Sequence, residues 1–241
     1  MTEGDSIDQQ LAIDQTLSSS LESLDNALNY RNWIFDLCAP HLGNSLLEIG
    51  AGHGTFTESF AELVTVCAVE PGADSGATLT QRFAGDENVE VVVGVADDVT
   101  ATGFDAAVMV NVFEHIDDEV GTLETVKQRL QPDGRLILWV PAFMLLYSPF
   151  DRALGHHRRY RLRPLVELIE ANGFEVIERR YANLPGWFSW LLLVRILRQE
   201  PTNQTMVQLF DRFIVPVVRW IETRVRVPFG QSIFLVARRQ P

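Results

Sequence analysis

The chain has 241 residues, 46% of them apolar, and a formal net charge of −12. That apolar content supports a sizeable core and excludes a disordered chain, and the acidic total excludes a bulk nucleic-acid binder, which needs a basic surface against phosphate. The charge is uneven: the first 28 residues hold six Asp/Glu and no Lys or Arg, whereas Arg152, Arg158, Arg159, Arg161 and Arg163 crowd one stretch and further arginines follow from 195 to 226.

Residues 1–20 are polar and Ser-rich and are expected to fray. Residues 21–38 carry Leu24, Ala27, Leu28, Trp33, Ile34 and Leu37 at helical spacing, and Ala39-Pro40 ends that helix. SLLEIG follows as a short buried strand, then the helix TFTESFAELV and the strand TVCAVEP, stopped at Pro71-Gly72. SGATLTQRFA is a helix, VEVVVGVA a third strand and FDAAVMVNVF a fourth. The helix DEVGTLETVKQRL leads through the turn residues PDG into a fifth strand, RLILWVPA. Strands that are continuous apolar runs, alternating with helices, predict a parallel sheet covered on both faces.

Past Pro141 the pattern loosens. Residues 142–163 form a loop expected to act as a lid or acceptor loop. PLVELIEANGF is a helix stopped by Gly173, FEVIERRYAN a strand and QSIFLVARR the last strand. Between these strands, 184–230 holds two apolar helical stretches, read as an insertion in one domain spanning 21–241. In the second stretch Met206, Phe210, Phe213, Ile214, Val217 and Ile221 fall on one helical face, arginines dot the other, and Pro216 predicts a kink. Three readings stay open: a lid over a hydrophobic substrate, an amphipathic pair lying on a membrane, or a dimer interface or ordinary core. The longest apolar run, WFSWLLLV, falls short of the roughly 20 residues that span a bilayer. The segment MTEGDSIDQQ has neither a basic nor an apolar leader region, and Cys38 and Cys67 sit apart in apolar contexts, so a cytoplasmic location is expected, with membrane association open through 184–230.

The chemistry starts at LLEIGAGHGTF. In a doubly wound sheet, ligands bind beyond the carboxyl ends of the strands. Gly50, Gly52 and Gly54 permit positive φ and let a ligand approach the backbone with no Cβ in the way. Glu70 ends the second strand 22 residues after Glu48, the offset at which an acidic side chain grips a ribose diol. The dinucleotide pattern G-x-G-x-x-G is not what stands here, and Glu48 at the strand end suits a ligand bearing ammonium and sulfonium better than a pyrophosphate.

With these residues the chain resembles the class I S-adenosylmethionine-dependent methyltransferases over roughly 45–183 and the final strand. LLEIGAGHGTF with VEP, FDAAVMVNVFEHIDD and LQPDGRLILWVPA stand in the order that family shows. The resemblance implies an α/β, Rossmann-like, mostly parallel seven-stranded sheet with an antiparallel last strand and, here, a helical insertion before it. It implies S-adenosyl-L-methionine as cofactor and S-adenosyl-L-homocysteine as product; no metal is expected, because no Cys/His metal spacing occurs and the Asp117-Asp118 pair reads as helix-capping carboxylates. By position, Glu48, Gly50, Ala51, Gly52, His53 and Gly54 would line the methionine part, with His53 an ordinary position of the loop. Glu70 would hold the ribose and Pro71 would pack near adenine. Many members have Asp straight after the third-strand glycine; Val95 stands there in this chain, and Ala96 with Asp97 or Asp98 would take its place. Asn111 and Val112 would pass under the sulfonium.

Methyl transfer to a hydroxyl needs alignment and a base. His115 after the fourth strand, and Asp151, His156 and His157 after the fifth, are the candidates. The activity expected is O-methylation of a small-molecule, glycosidic or lipid-linked acceptor, with a homodimer open. The competing readings are a nucleotide-binding module without methyl transfer and a nicotinamide-dependent oxidoreductase.

Overall fold

The computed structural model describes residues 26–197 and 204–240; the polar segment 1–20 and the first residues of the first predicted helix lie outside them. Helix α1 covers Leu28–Cys38 and runs into a 3-10 turn, Ala39–His41, where Pro40 is tolerated in the first turn. Strand β1 (Ser45–Ile49), helix α2 (Thr55–Ala61), strand β2 (Thr65–Glu70), helix α3 (Ala73–Arg82) and strand β3 (Val89–Val93) follow. Next come strand β4 (Phe104–Val110), helix α4 (Glu119–Arg129) and strand β5 (Leu130–Pro141). Asp118 caps α4 by accepting from the Gly121 N–H at 2.9 Å. The PDG turn expected ahead of the fifth strand is instead an irregularity within β5: Phe104 pairs with Leu130, then Ala106 with Arg135, and Asp133 between them has φ +64°.

The remaining elements are α5 (Pro149–Ala153), α6 (Leu162–Ala171), β6 (Phe174–Ala182), α7 (Leu184–Ser189), α8 (Gln204–Leu209), α9 (Val215–Glu222) and β7 (Ser232–Arg239). Gly173, with φ +87°, turns the chain between α6 and β6 where a side chain would be strained. The sheet order is β3-β2-β1-β4-β5-β7-β6, and β7 is antiparallel to both neighbours. This is the covered, mostly parallel sheet that the alternation of elements predicts, with the seven strands, antiparallel last strand and Rossmann-like order that the resemblance implies. The edge strands β3 and β6 are half-exposed, whereas the interior strands are buried along their apolar runs, with exposed residues at Thr65, Arg238 and the irregular start of β5, residues 131–133.

Side-chain alternation splits the core into two layers. Leu47, Val69, Met109, Leu138 and Leu235 pack on one face against α4 and α6. Leu46, Ala68, Val108, Trp139 and Phe234 pack on the other against α1, α2, α3 and α9. Each fully buried large side chain contributes ~1.5–3 kcal/mol relative to exposure.

The insertion therefore contributes to the second layer, which is the ordinary-core reading for part of it. Wide π turns replace α geometry at Trp190–Ile196 and Phe210–Ile214. The second π turn, just before Pro216, shifts the helical phase. Asp211, Val215, Val218 and Glu222 are the buried positions, whereas Phe213, Ile214, Val217 and Ile221 face outward. Of the apolar face named from the sequence, Phe210 packs against the core and the rest lies exposed. Two buried carboxylates anchor the insertion. Asp211 accepts from the Asn29 and Tyr30 N–H groups at 3.0 and 2.8 Å, at the start of α1. Glu222 accepts from the Asn183 and Leu184 N–H groups at 2.9 Å each, at the start of α7. Both give orphan helix N–H groups a charged acceptor at the positive end of the helix dipole. Among the described residues no helix is long and apolar enough to cross a membrane.

Candidate functional site

The strand order reverses between β1 and β4, and a cavity of about 680 Å³ opens over the carboxyl ends of the strands there. Its floor is the turn after β1. Gly50 (φ +73°) and Gly52 (φ +56°) take left-handed conformations. A Cβ on Gly50 would stand 2.3 Å from Val112 Cγ2, so the position admits no side chain. Gly54 (φ +84°) serves packing: a Cβ there would meet Phe83 and Leu79.

Glu70 ends β2 at the cavity wall and is buried. Its Oε2 accepts from the Gly52 N–H at 2.8 Å and its Oε1 from the Gly72 N–H at 2.9 Å. These bonds fix the carboxylate against the glycine turn, and each oxygen keeps a second acceptor site. Pro71, Ala96, Asp97, Asn111 and Val112 line the same cavity. Asn111 takes φ +53° as the chain leaves β4. Asp97 Oδ1 accepts from Thr125 Oγ1 at 2.7 Å. Asp98 turns back to accept from the Val95 N–H at 2.8 Å, a structural bond that stabilises the bend after β3.

Four residues expected in the glycine-loop contacts do not reach the cavity. Glu48 alternates to the α2 face of the sheet, where Thr57 Oγ1 donates to its Oε2 at 2.6 Å. Burial, reinforced by the nearby Glu70 charge, raises its pKa to about 8. Burial thus favours the neutral form of this carboxyl, which faces α2 and not the cavity. Ala51 is buried in the second core layer, and Gly54 packs as described. His53 contributes its carbonyl to Arg82 Nη1 at 3.0 Å.

The far wall comes from two loops. After β4 a 3-10 turn, Phe113–His115, brings Glu114 and His115 to the cavity. After β5 the lid loop is pinned at its base by the Phe143 N–H to Tyr160 carbonyl and Tyr160 N–H to Pro141 carbonyl bonds, 2.7 and 2.9 Å. Inside it, Ser148 and Asp151 form a capping box that starts α5. Asp151 is fully buried and does not line the cavity. It accepts from the Ser148 N–H and hydroxyl (2.8 and 2.7 Å), from Arg159 Nε (2.6 Å) and lies 3.0 Å from His156 Nδ1. Burial alone would raise its pKa, but the His156 bond and the Arg159 charge outweigh it and hold it at about 2. It is thus a fixed anion that orients His156 and Arg159, not a base.

His156 lines the cavity and stacks edge-on against His115, ring centroids 4.6 Å apart. Burial first, then the neighbouring His156 and His157, lower the His115 pKa to about 3. His157 points away: its side chain is 46% exposed, 4.0 Å from Asp117, and only its N–H contributes inward, to the Glu114 carbonyl at 2.9 Å. The sequence reading missed Glu114 and Tyr30 as cavity residues; of the clustered arginines, which it offered as a clamp for an anionic group, Arg159 lines the cavity. Glu114 is fully buried, and neither of its oxygens has a hydrogen-bond partner. Burial raises its pKa to about 8. Arg159 is held by Asp151, lies with its guanidinium 4.8 Å over the Trp190 ring, and has Nη1 without a partner. A lone carboxylate between Phe113 and His115 gives no sequence signal, because only the tertiary fold makes it buried.

A second, apolar cavity of about 670 Å³ lies between the pieces of the insertion, walled by Leu193, Val194, Phe210 and Phe213. Tyr30, Trp190, Val207 and Gln231 line both cavities, so the two are contiguous.

The family model described as Methyltransferase domain matches residues 16–179, more than half of the chain. An uncharacterized 37.1 kDa protein in transposon TN4556 of Streptomyces fradiae is 27% identical over 170 residues, covering 68% of this chain; the chain spans about half the length of that relative. Among solved structures, the Haloferax volcanii putative methyltransferase in complex with the Trm112 methyltransferase activator superposes with a TM-score of 0.63 at 14% identity, covering 94% of this chain and 98% of that one. The Burkholderia thailandensis 1,6-didemethyltoxoflavin-N1-methyltransferase, with bound 1,6-didemethyltoxoflavin and S-adenosylhomocysteine, gives 0.63 at 19% identity, covering 100% and 92%. These structural likenesses show the fold. With the family match over β1 to β6 and the glycine turn at the sheet's reversal point, they lead to one conclusion: the chain belongs to the methyltransferase domain family.

Proposed function

We propose that the protein is an S-adenosylmethionine-dependent methyltransferase acting on an oxygen of an acceptor with an apolar portion. The observation that carries the cofactor reading is Glu70, a buried carboxylate locked to the glycine turn at the reversal point, with acceptor sites left over for a ribose diol. Gly50 and Gly52 give the Cβ-free approach for the methionyl part. Pro71, Ala96 and Asp97 flank the adenine region, and Asn111 and Val112 the sulfonium region. S-adenosylmethionine, when bound, supplies a methyl group on a positively charged sulfur. The chain's own part is to align an acceptor against that methyl, exclude water and manage a proton.

The acceptor reading rests on the adjoining apolar cavity and on Arg159 Nη1, an unspent donor of a first-cavity residue whose guanidinium lies over Trp190, which lines both cavities. Loop 142–163 and insertion 184–230 are read as the cap that encloses the acceptor, joined where Trp190 Nε1 donates to the Leu146 carbonyl at 3.0 Å. An apolar tail would lie along Leu193 and Phe210, with the reactive oxygen near His115 and His156.

Calorimetric titration with S-adenosylhomocysteine tests the cofactor. We expect 1:1 binding, a loss of tenfold or more, that is about 1.4 kcal/mol or more, in Glu70→Ala, and no binding of NAD. Binding of NAD alone would end this reading. For the acceptor, monomeric octyl glucoside observed by saturation-transfer NMR is expected to bind the wild type and not Leu193→Trp, while both keep S-adenosylhomocysteine affinity. Equal binding to both would remove the apolar tail.

A further inference from the structure

We infer that Glu114, His115 and His156 form a binding site for a first-row divalent transition cation at the acceptor end of the cavity. One ligand atom from each lies within 4.8 Å of those of the other two. Ligands on one tetrahedral cation, each at ~2.1 Å, stand about 3.4 Å apart, so side-chain shifts of roughly an ångström would close the set. Two independent observations point to a ligand. Glu114 is wholly buried, lines the cavity and has both carboxylate oxygens without a hydrogen-bond partner. Leaving such a group unsatisfied is costly, and a cation removes that cost. Second, His156 Nδ1 is committed to Asp151 at 3.0 Å, and Asp151 is itself fixed by Arg159 and Ser148. That bond leaves Nε2 as the free ring nitrogen, and it faces Glu114 Oε1 at 3.9 Å. A carboxylate bonded to the distal nitrogen of a histidine is the arrangement that orients and strengthens a metal-ligating imidazole.

Two imidazoles and one carboxylate on the wall of an open cavity leave coordination positions facing the cavity. Resting on the function proposed above, those positions would take the acceptor oxygen. A cation-bound hydroxyl loses its proton to water more readily. The oxygen lone pair then forms the C–O bond as the C–S bond breaks, and that bond's electron pair stays on sulfur. One methyl is moved and one proton is released per turnover. The sequence offered no sign of this site, because its ligands come from two loops forty residues apart and not from a Cys/His spacing.

The test uses the full-length protein, stripped with a chelator and titrated with Co²⁺, read by visible absorption, with S-adenosylhomocysteine binding measured in parallel. We expect one equivalent of Co²⁺ with bands distinct from the hydrated ion, weakened at least tenfold by Glu114→Gln and by His156→Ala, and unchanged by His41→Ala. The isosteric Glu114→Gln is expected to keep S-adenosylhomocysteine affinity, which shows that it is folded. Absence of stoichiometric Co²⁺ binding to the wild type overturns the site whatever the variants do, as does undiminished binding in folded Glu114→Gln. Co²⁺ binding without S-adenosylhomocysteine binding would leave the cation site standing and sink the proposed cofactor.

Discussion

Glu48 and Glu70 are both strand-end carboxylates, both buried, and one sheet register separates their fates. Glu70 turns to the cavity and gains two backbone N–H donors. Glu48 turns to α2, gains one hydroxyl donor from Thr57, and is pushed up to about 8. Because its folded-state pKa lies above the value of about 4.5 expected for an unfolded glutamate, the neutral form is the one compatible with folding. The associated stability is fully present below about pH 4.5 and is lost as pH rises through 8. Glu48→Gln keeps an acceptor for Thr57 and removes the titration. We expect the melting temperature of the wild type to fall more steeply from pH 5 to pH 9 than that of Glu48→Gln, with a gap at pH 9 on the order of a few kcal/mol. Parallel melting profiles would show that Glu48 stays ionised in the fold.

Among the elements, α1 and the insertion depend on each other through Asp211. This carboxylate accepts from two consecutive N–H groups of α1 and also from Asn29 Nδ2 at 3.1 Å. The pair is 182 residues apart in sequence, so neither helix shows an N-cap of its own to the reader of the chain. Asp211→Ala is expected to cost about 1–2 kcal/mol, the range of a lost N-cap, and to speed amide exchange first at Asn29 and Tyr30. Unchanged exchange at those two amides would deny Asp211 the capping role. The π turn at Phe210–Ile214 has the same origin. It places Asp211 against α1 and brings Val215 and Val218 into the core, at the cost of turning Phe213 and Val217 outward. Helical periodicity assumes 3.6 residues per turn throughout, so it grouped the apolar positions without showing which of them enter the core.

For the molecule as a whole, the insertion is part of the fold and not an appendage. Val215 and Val218 share a core layer with Trp33, Val108 and Phe234. Deleting 204–222 should therefore uncover that layer, and we expect an aggregation-prone chain without a cooperative thermal transition. A soluble deletion with a wild-type melting curve would show that 204–222 is dispensable to the core. The same packing ties the two cavities to one wall, since Trp190 meets Phe150 of the lid loop edge-on at 6.0 Å and carries Arg159 over its face.

How much of this was legible follows from the range of the forces involved. Strand and helix order, the glycine turn and the acidic residue ending β2 are written in the chain, because each is set by neighbours a few residues away: apolar runs, positive-φ glycines and turn residues. The cavity opens where the strand order reverses, and Gly50, Gly52, Glu70, Asn111, His115 and His156, singled out from the sequence, all line it. Burial and long-range partnership were not legible. Whether Glu48 faces a ligand or a helix, whether Asp151 is a base or a support, and whether Glu114 is left without a partner depend on which distant segments pack together. Tertiary structure alone decides these, because desolvation and hydrogen bonding act through space and a sequence records only neighbours along the chain.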